Sequence, residues 1–493
     1  MRLKLKSSVT LFLLSALLCT GTQKAYGQEN EMKSKITYTA DGSKKKQFFT
    51  VRTKQPETLV KVQFPDGETA ELVSDEDYRM ARFTHIMKDA PKPWVVKIET
   101  NDVESFASES AGIVGLDVSG CPEITRIVFR EQNIENLDLK GMENIQELYF
   151  VHCSLLKNLD ITGVKALKIL NVANATEVKI KGFDDCTELE EIIAFNSSLT
   201  NLDVSKLKKL TKLDLTNTKT TDIDLSNNTK LLTLELACNQ LTKLDVTKLV
   251  NLNVLKIQIN QLKEIDLSNN KALTELDISE NELSELNLNA DELRTLYCYK
   301  NNLPLSQLPP KGEMTVYVYA PQNPFPMPKE VVVNTVLDLS AEAKAINDVG
   351  KEKETTFSVY AKDGKMLEAD TDYKVENGKF TFLKASKEPV RIKVINVAFP
   401  KFTGENAMYS DWFTVVEATG IDDVNAETKP AIHASSNAIE VHNLKQNTPV
   451  KIYGLDGTCK ARATAKNGVA TFSLSKGIYV IYADGKATKV TVE

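Results

Sequence analysis

The sequence predicts a solenoid of short parallel strands flanked by all-β domains, and three observations carry that prediction. First, an apolar residue opens a recurring unit at Ile127, Leu148, Leu170, Ile192, Leu213, Leu234, Leu255, Leu276 and Leu296, with spacings of 21, 22, 22, 21, 21, 21, 21 and 20 residues. Second, the units share the alternation L-x-L-x-x-N-x-L, cleanest at Leu234, Leu236, Asn239 and Leu241. Third, the chain on either side loses this period and alternates apolar and polar residues at period two between turn residues. A constant period near 21 with this pattern is a leucine-rich repeat, whose coils bury their apolar faces only by stacking on one another. About nine 21-residue repeats are expected over residues 111–310.

The elements follow in order. Residues 1–27 read as a signal peptide: Arg2, Lys4 and Lys6 precede an apolar stretch over 9–19, and Ala25, Tyr26 and Gly27 make a small-x-small site that places cleavage between Gly27 and Gln28. The apolar stretch is about half the length of a membrane-spanning helix. Cys19 raises a lipoprotein alternative, against which Leu17 and Leu18 stand where lipidation needs a small residue. Removing this segment takes away Arg2, Lys4, Lys6 and Lys24 and leaves 57 Lys+Arg against 67 Asp+Glu, a net charge of −10. That balance argues against nucleic acid as a partner, because phosphate binding needs a basic stripe.

Residues 28–110 form an expected N-terminal β-rich cap. Strands are predicted at 47–51, 60–64, 70–73 and 94–98, with Pro65, Asp66 and Gly67 supplying a turn. Such a domain would cover the first apolar layer of the solenoid.

Within each repeat, positions one and three point inward and positions two and four outward, because strand side chains alternate. Position six holds Gln132, Cys153, Ala175, Ser197, Thr218, Asn239, Asn260, Asn281 and Asn301. A buried Asn there can hydrogen-bond the backbone of adjacent coils, so Asn239, Asn260, Asn281 and Asn301 are expected to form a structural ladder. The first five units are irregular and the last four regular. The second half of the units carries Asp138, Asp160, Asp203, Asp224, Asp245 and Asp266, expected to stack one coil apart. Such a stripe could gather Ca²⁺; the favoured reading is that each Asp caps its own tight turn with the Ser or Thr often found two residues on. Lys179 is read as the replacement for Asp in the third unit.

Pro304, Pro309 and Pro310 end the repeats. Residues 311–418 are predicted to be an Ig-like β-sandwich, with strands at 315–319, 356–360, 379–383 and 390–394 and turns at Asp363-Gly364 and Asn377-Gly378. Residues 419–430 are a polar linker. Residues 431–493 are a compact all-β module with strands at 438–441, 450–453, 469–472, 477–481 and 489–492.

Little in the chain points to chemistry. His85, His152, His433 and His442 are scattered, with no metal-ligand spacing and no Ser–His–Asp or Cys–His arrangement. Cys121, Cys153, Cys186, Cys238, Cys298 and Cys459 fall at different places in the repeat and read mostly as small core residues. No enzyme activity, metal or cofactor is expected. Binding has better support. Outward positions carry Val128, Tyr149, Val151, Ile193, Phe195, Tyr297 and Tyr299, and apolar side chains on a formed sheet suit an interaction surface. Tyr149, Val151, Ile193 and Phe195 are the proposed partner-binding residues, with Asn171 and Ala173 a polar gap between them. Tyr297 and Tyr299 either join that surface or pack under the following β-domain.

The repeats resemble the internalin J-like branch of bacterial leucine-rich repeats, whose units run to about 21 residues, carry L-D-L-S in the second half and sometimes place Cys at the ladder position. The resemblance covers about 190 residues and departs from the pattern at Ala175, Ser197 and Lys179. The C-terminal module resembles the sorting domain of the type IX secretion system of Bacteroidota. The residues that carry this are Ile452-Tyr453-Gly454-Leu455-Asp456-Gly457, then Ser473-Leu474-Ser475-Lys476-Gly477-Ile478-Tyr479-Val480, and Lys489-Val490-Thr491-Val492. That resemblance implies export through the outer membrane by the type IX machinery, removal of the module, and release or anchoring at the cell surface; a second Ig-like adhesion domain is the alternative. Together the resemblances imply an outer-membrane or extracellular protein that binds a host or bacterial surface protein in attachment or biofilm formation. A surface carbohydrate-binding module is the alternative reading, and a hydrolase the least favoured.

Overall fold

The computed structural model describes residues 32–88, 92–347, 350–417 and 431–492, apart from 436–437, 443, 455–457 and 484–485. The signal segment with its Gly27/Gln28 junction and the 419–430 linker lie outside the described residues. The chain forms two compact units. One comprises residues 1–326, 341–357 and 393–410, the other 327–340, 358–392 and 411–493.

The first unit is built on a 13-stranded sheet. Eleven of its strands, among the described residues, are parallel and in coil-on-coil register, from Phe106↔Ile127 and Ile127↔Leu148 through Leu276↔Leu296 to Leu296↔Tyr317. The solenoid therefore has two more coils than the nine expected. Val103–Glu109 adds one before Ile127, and Val316–Val318 adds one after Leu296. The sequence reading placed the first in the cap and the second in the Ig-like domain, because Phe106 and Tyr317 stand where a unit is marked by Leu or Ile.

The end coils meet a cap rather than another coil, and a larger side chain spans that different space. Phe106 lies 6.1 Å from Tyr38 and 6.0 Å from Phe49, ring centre to ring centre. At the other end Tyr319 lies 5.3 Å from Phe399 and 5.1 Å from Phe402, and its hydroxyl accepts the Lys401 N–H at 2.9 Å. Thus Tyr317 and Tyr319, buried at inward positions, meet the covering segment. Tyr297 and Tyr299 are outward-facing and remain on the sheet face.

The N-terminal region extends the solenoid sheet and adds a second layer. Lys46–Thr53 pairs antiparallel with Val103–Glu109, and Met80–Ile86 pairs with Lys46–Thr53. A five-stranded sheet carries Ser34–Ala40 between Trp94–Thr100 and Ile113–Gly120. Tyr38, Phe49, Phe83 and Phe106 fill the space between the two sheets' strands.

The ladder holds the regular coils together. Asn260 accepts the Leu241 N–H at 3.0 Å and donates to the carbonyls of Leu236 at 2.9 Å and Ile257 at 3.0 Å. Asn239, Asn281 and Asn301 make the same kind of bridge. Gln322 continues it into the added coil, donating to the Cys298 carbonyl at 2.8 Å. In the irregular half Cys153 reaches only to 3.8–3.9 Å from the carbonyls of Val151 and Phe129. There an exposed file substitutes: Asn196 donates to Asn174 at 2.9 Å and Asn217 to Asn196 at 2.8 Å. A further rung appears on the opposite side of the coils, where Asn228 and Asn270 each donate to two carbonyls at 2.8–2.9 Å. The recurring L-S-N-N at 225–228 and 267–270 was its signal.

Position five of the nine recognised units is left-handed, from Glu131 to Lys300, with φ between 52° and 61°. Asn tolerates that conformation and a β-branched residue does not; Ile259, at φ 57°, is the strained member.

The third unit's break in the Asp stripe falls two residues later than expected. Asp160 pairs in register with Lys181, not Lys179. Residues 178–181 alternate at period two, so both Lys side chains point the same way, and only the pairing with the Asn158–Asp160 strand sets the register. Lys181 then binds Asp160 at 2.7 Å.

Residues 311–418 do not form one body, since 341–357 and 393–410 group with the solenoid. In the second unit Glu330–Val332 runs parallel to Thr414–Val416, and Lys379–Phe382 pairs with both Val336–Asp338 and Tyr373–Glu376 over a core of Tyr373, Phe380, Phe382 and Phe413. The C-terminal module is a pair of sheets of three and four strands enclosing Ile439, Val441, Val450, Ile452, Phe472 and Ile481.

Candidate partner-binding face

Strand alternation turns Leu148 and Phe150 fully inward and leaves Tyr149 and Val151 on the opposite face. Register then arranges the outward residues in rows. One row runs Val128, Tyr149, Asn171, Ile193, Asp214. In the next, the His152 N–H bonds the Ala173 carbonyl at 3.0 Å and the Asn174 N–H that of Phe195 at 2.9 Å, which sets Val151, Ala173 and Phe195 side by side. Adjacent strands lie about 4.8 Å apart, so Asn171 and buried Ala173 floor a notch about one side chain wide. Tyr149 and Val151 form one wall, Ile193 and Phe195 the other.

These four side chains are half-buried, less displayed than the sequence alone suggested. On a sheet face each outward residue is flanked by its neighbours in the row. The Arg126 guanidinium lies 5.1 Å from the centre of the Tyr149 ring and binds Glu147 at 3.0 Å. Burial pushes the Tyr149 hydroxyl above its ordinary range, and the Glu147 carboxylate adds to that. Asn171 accepts the Ala173 N–H at 3.1 Å, which ties the notch floor to its own backbone.

Beyond the notch the face becomes polar. Asp214, Glu235, Lys256 and Asp277 continue the row, and Lys256 binds Glu275 at 3.1 Å. Burial raises the Asp277 carboxyl above the usual range. Tyr297 stands next in register, between Asp277 and Val318, half-buried like Tyr299. The structure thus separates the two Tyr residues from the notch by a charged stretch.

The Asp stripe serves the turns. Asp138, Asp160, Asp203, Asp224, Asp245 and Asp266 each accept the N–H two residues on, at 2.9–3.0 Å. Hydrogen bonds from the following Ser or Thr hold Asp203, Asp224, Asp245 and Asp266 below the usual carboxylate range. The thiols are free: Cys121, Cys153, Cys186 and Cys298 are buried, Cys238 partly so, and Cys459 is exposed. Burial pushes Cys121 and Cys153 up to about 11, away from reactive thiolate. His152 is exposed at a left-handed strand end.

No family model and no curated protein matches the chain. Among solved structures it is similar to the functional domain of InlJ from Listeria monocytogenes, which includes a cysteine ladder. Identity there is 18%, over 65% of this chain and 93% of that one, with a TM-score of 0.36. It is similar also to an internalin (inlF) from Listeria monocytogenes at 15% identity, over 44% of this chain and 80% of that one, with a TM-score of 0.33. In this chain asparagine holds the last four of the nine recognised rungs, and Cys153 is the single thiol among the nine.

Proposed function

We propose that this is a non-enzymatic adhesion or protein-interaction protein, exported to the cell surface, that binds a protein partner across the notch between Tyr149/Val151 and Ile193/Phe195. The observation that supports this is the pairing of aromatic and aliphatic walls around a small floor on a rigid sheet. A side chain entering such a notch is desolvated on both flanks, as binding hot spots require. The carbohydrate alternative is weaker here, because Arg126 lies against the Tyr149 ring that a sugar would stack on. Tyr297 and Tyr299 are proposed as a secondary contact at most.

Charge reversal tests the site. Tyr149→Glu with Phe195→Glu is expected to reduce binding to cells or to an array of matrix and surface proteins by about 30-fold or more, the effect of losing roughly 2 kcal/mol at a hot spot. Tyr297→Glu is expected to change it by less than about threefold. Unchanged attachment by the double variant would place the site elsewhere, and binding on a glycan array alone would favour the carbohydrate reading.

The C-terminal sandwich is proposed as the type IX sorting module, engaging that secretion machinery and then removed. Mass spectrometry of the mature protein is expected to find a C-terminus near residue 420–430. Surface protein ending at Glu493 would sink the sorting assignment and favour a second Ig-like domain.

A further inference from the structure

We infer that the partner is an acidic protein segment, in which Asp or Glu stands beside an aromatic or aliphatic residue, and that the carboxylate is received by an arginine-lined cavity next to the notch. This rests on the partner-binding reading above and specifies its chemistry.

A cavity of about 380 Å³ opens along the strands Lys46–Thr53, Val103–Glu109, Arg126–Arg130 and Glu147–Val151. Arg52, Lys54, Arg79 and Arg126 line it, against Glu104 and Glu147. In a chain with 67 acidic and 61 basic residues, four cations around two carboxylates invert the local sign. Register brings them together. Arg52, Ser105, Arg126 and Glu147 occupy one row across four adjacent strands. The short Ser105 side chain lies between the two arginines and leaves the space open above it.

The carboxylates already present do not use up the donors. Arg52 Nε and Arg79 Nη2 both approach the same oxygen, Glu104 Oε2, at 3.4 and 3.0 Å. Arg126 meets Glu147 through Nε at 3.0 Å. Lys54 turns to Glu123 at 2.8 Å, outside the cavity lining, and Arg79 Nη1 donates to the Lys54 carbonyl at 2.7 Å. The terminal nitrogens of Arg52 and Arg126 have no acidic or hydrogen-bonding partner among the described residues. Guanidinium ends in a partly desolvated cavity are matched in charge and planar geometry to a carboxylate.

Continuity with the notch decides what carries that carboxylate. The guanidinium of Arg126 lies on the Tyr149 ring, so the anion site and the apolar wall share a residue contact. An acidic peptide satisfies both at once. A sulfated sugar chain would engage the cations and offer nothing to Val151, Ile193 and Phe195.

The test selects a random-peptide phage library on the immobilised full chain and measures the enriched peptides by fluorescence polarisation. Enriched peptides are expected to pair Asp or Glu with an aromatic or aliphatic neighbour. Arg52→Gln and Arg126→Gln should each weaken binding about tenfold, and Arg126→Lys less. Changing the peptide acid to its amide should cost about tenfold on the native chain and much less on the Gln variants. Thermal melts check that the variants fold; the acid-to-amide arm on the native chain stands even where one does not. Peptides lost on Phe195→Glu but indifferent to both Gln variants and to amidation would overturn the anion cavity and leave the notch standing. Peptides indifferent to Phe195→Glu as well would overturn both. Failure to enrich any peptide, with heparin bound instead, would overturn the acidic-protein assignment in favour of a sulfated glycan.

Discussion

Asn281→Ala is expected to lower the unfolding free energy by about 3–5 kcal/mol, read by urea denaturation followed by circular dichroism. The side chain is buried and serves four backbone groups: it accepts the Leu262 N–H at 3.1 Å and donates to the carbonyls of Ile257 at 3.0 Å, Ile278 at 3.2 Å and Ser279 at 3.3 Å. Each buried group left without a partner costs about 1–3 kcal/mol. Alanine cannot restore any of them, and the coil is too tightly stacked for the backbone to find new ones. Cys153→Ala, at the equivalent rung, is expected to cost less than about 1 kcal/mol, because its Sγ contacts are long and weak. Equal costs at the two positions would mean that rung packing, and not hydrogen bonding, holds the coils.

Phe129→Ala is expected to destabilise by about 3–5 kcal/mol by the same measurement. Its ring is fully buried and meets Phe106 at 6.0 Å and Phe150 at 6.1 Å, both edge to face. The truncation therefore loses transfer energy, opens a cavity and breaks two aromatic pairs. Phe129 and Phe150 lie on the inward side of the strands whose outward side carries Val128, Tyr149 and Val151. Hydrogen exchange should accordingly rise first in 103–130 and 147–151, under the notch wall. Phe129 and Asn281 sit in coils far apart in the stack, and coils interact only with their neighbours. The double variant should lose the sum of the two effects within about 0.5 kcal/mol; a smaller loss would mean that one lesion already unfolds the coils of the other.

These two expectations describe two ways of fastening one solenoid. The last units share the asparagine ladder. The earlier units, with Cys153, Ala175 and Ser197 on their rungs, rely on the Phe49, Phe106, Phe129 and Phe150 rings and on the exposed Asn174–Asn196–Asn217 file. The proposed notch lies in this second region, where the coil backbone is held without a uniform rung and the outward residues are less constrained to repeat.

The period, the inward and outward parity of Tyr149, Val151, Ile193 and Phe195, and the ladder role of Asn239 to Asn301 were all legible from residue spacing. Each depends on an interval along the chain that local strand geometry enforces. What spacing could not supply was pairing between segments. Lys179 and Lys181 have the same parity, and only the neighbouring strand chose Lys181. Phe106 and Tyr317 lack the marker of a unit, and only their register with Ile127 and Leu296 made them coils.

The anion cavity is the clearest case of the second kind. Arg52 and Arg126 come from two strands and Arg79 from the turn before Met80–Ile86, with no shared motif. The sequence by itself determined that this protein is a repeat solenoid and which side chains face outward, because a periodic chain encodes its own coil. Tertiary structure alone decided where the solenoid ends, how half-buried its apolar face is and which charges gather beside it, because those depend on contacts between residues far apart in the chain.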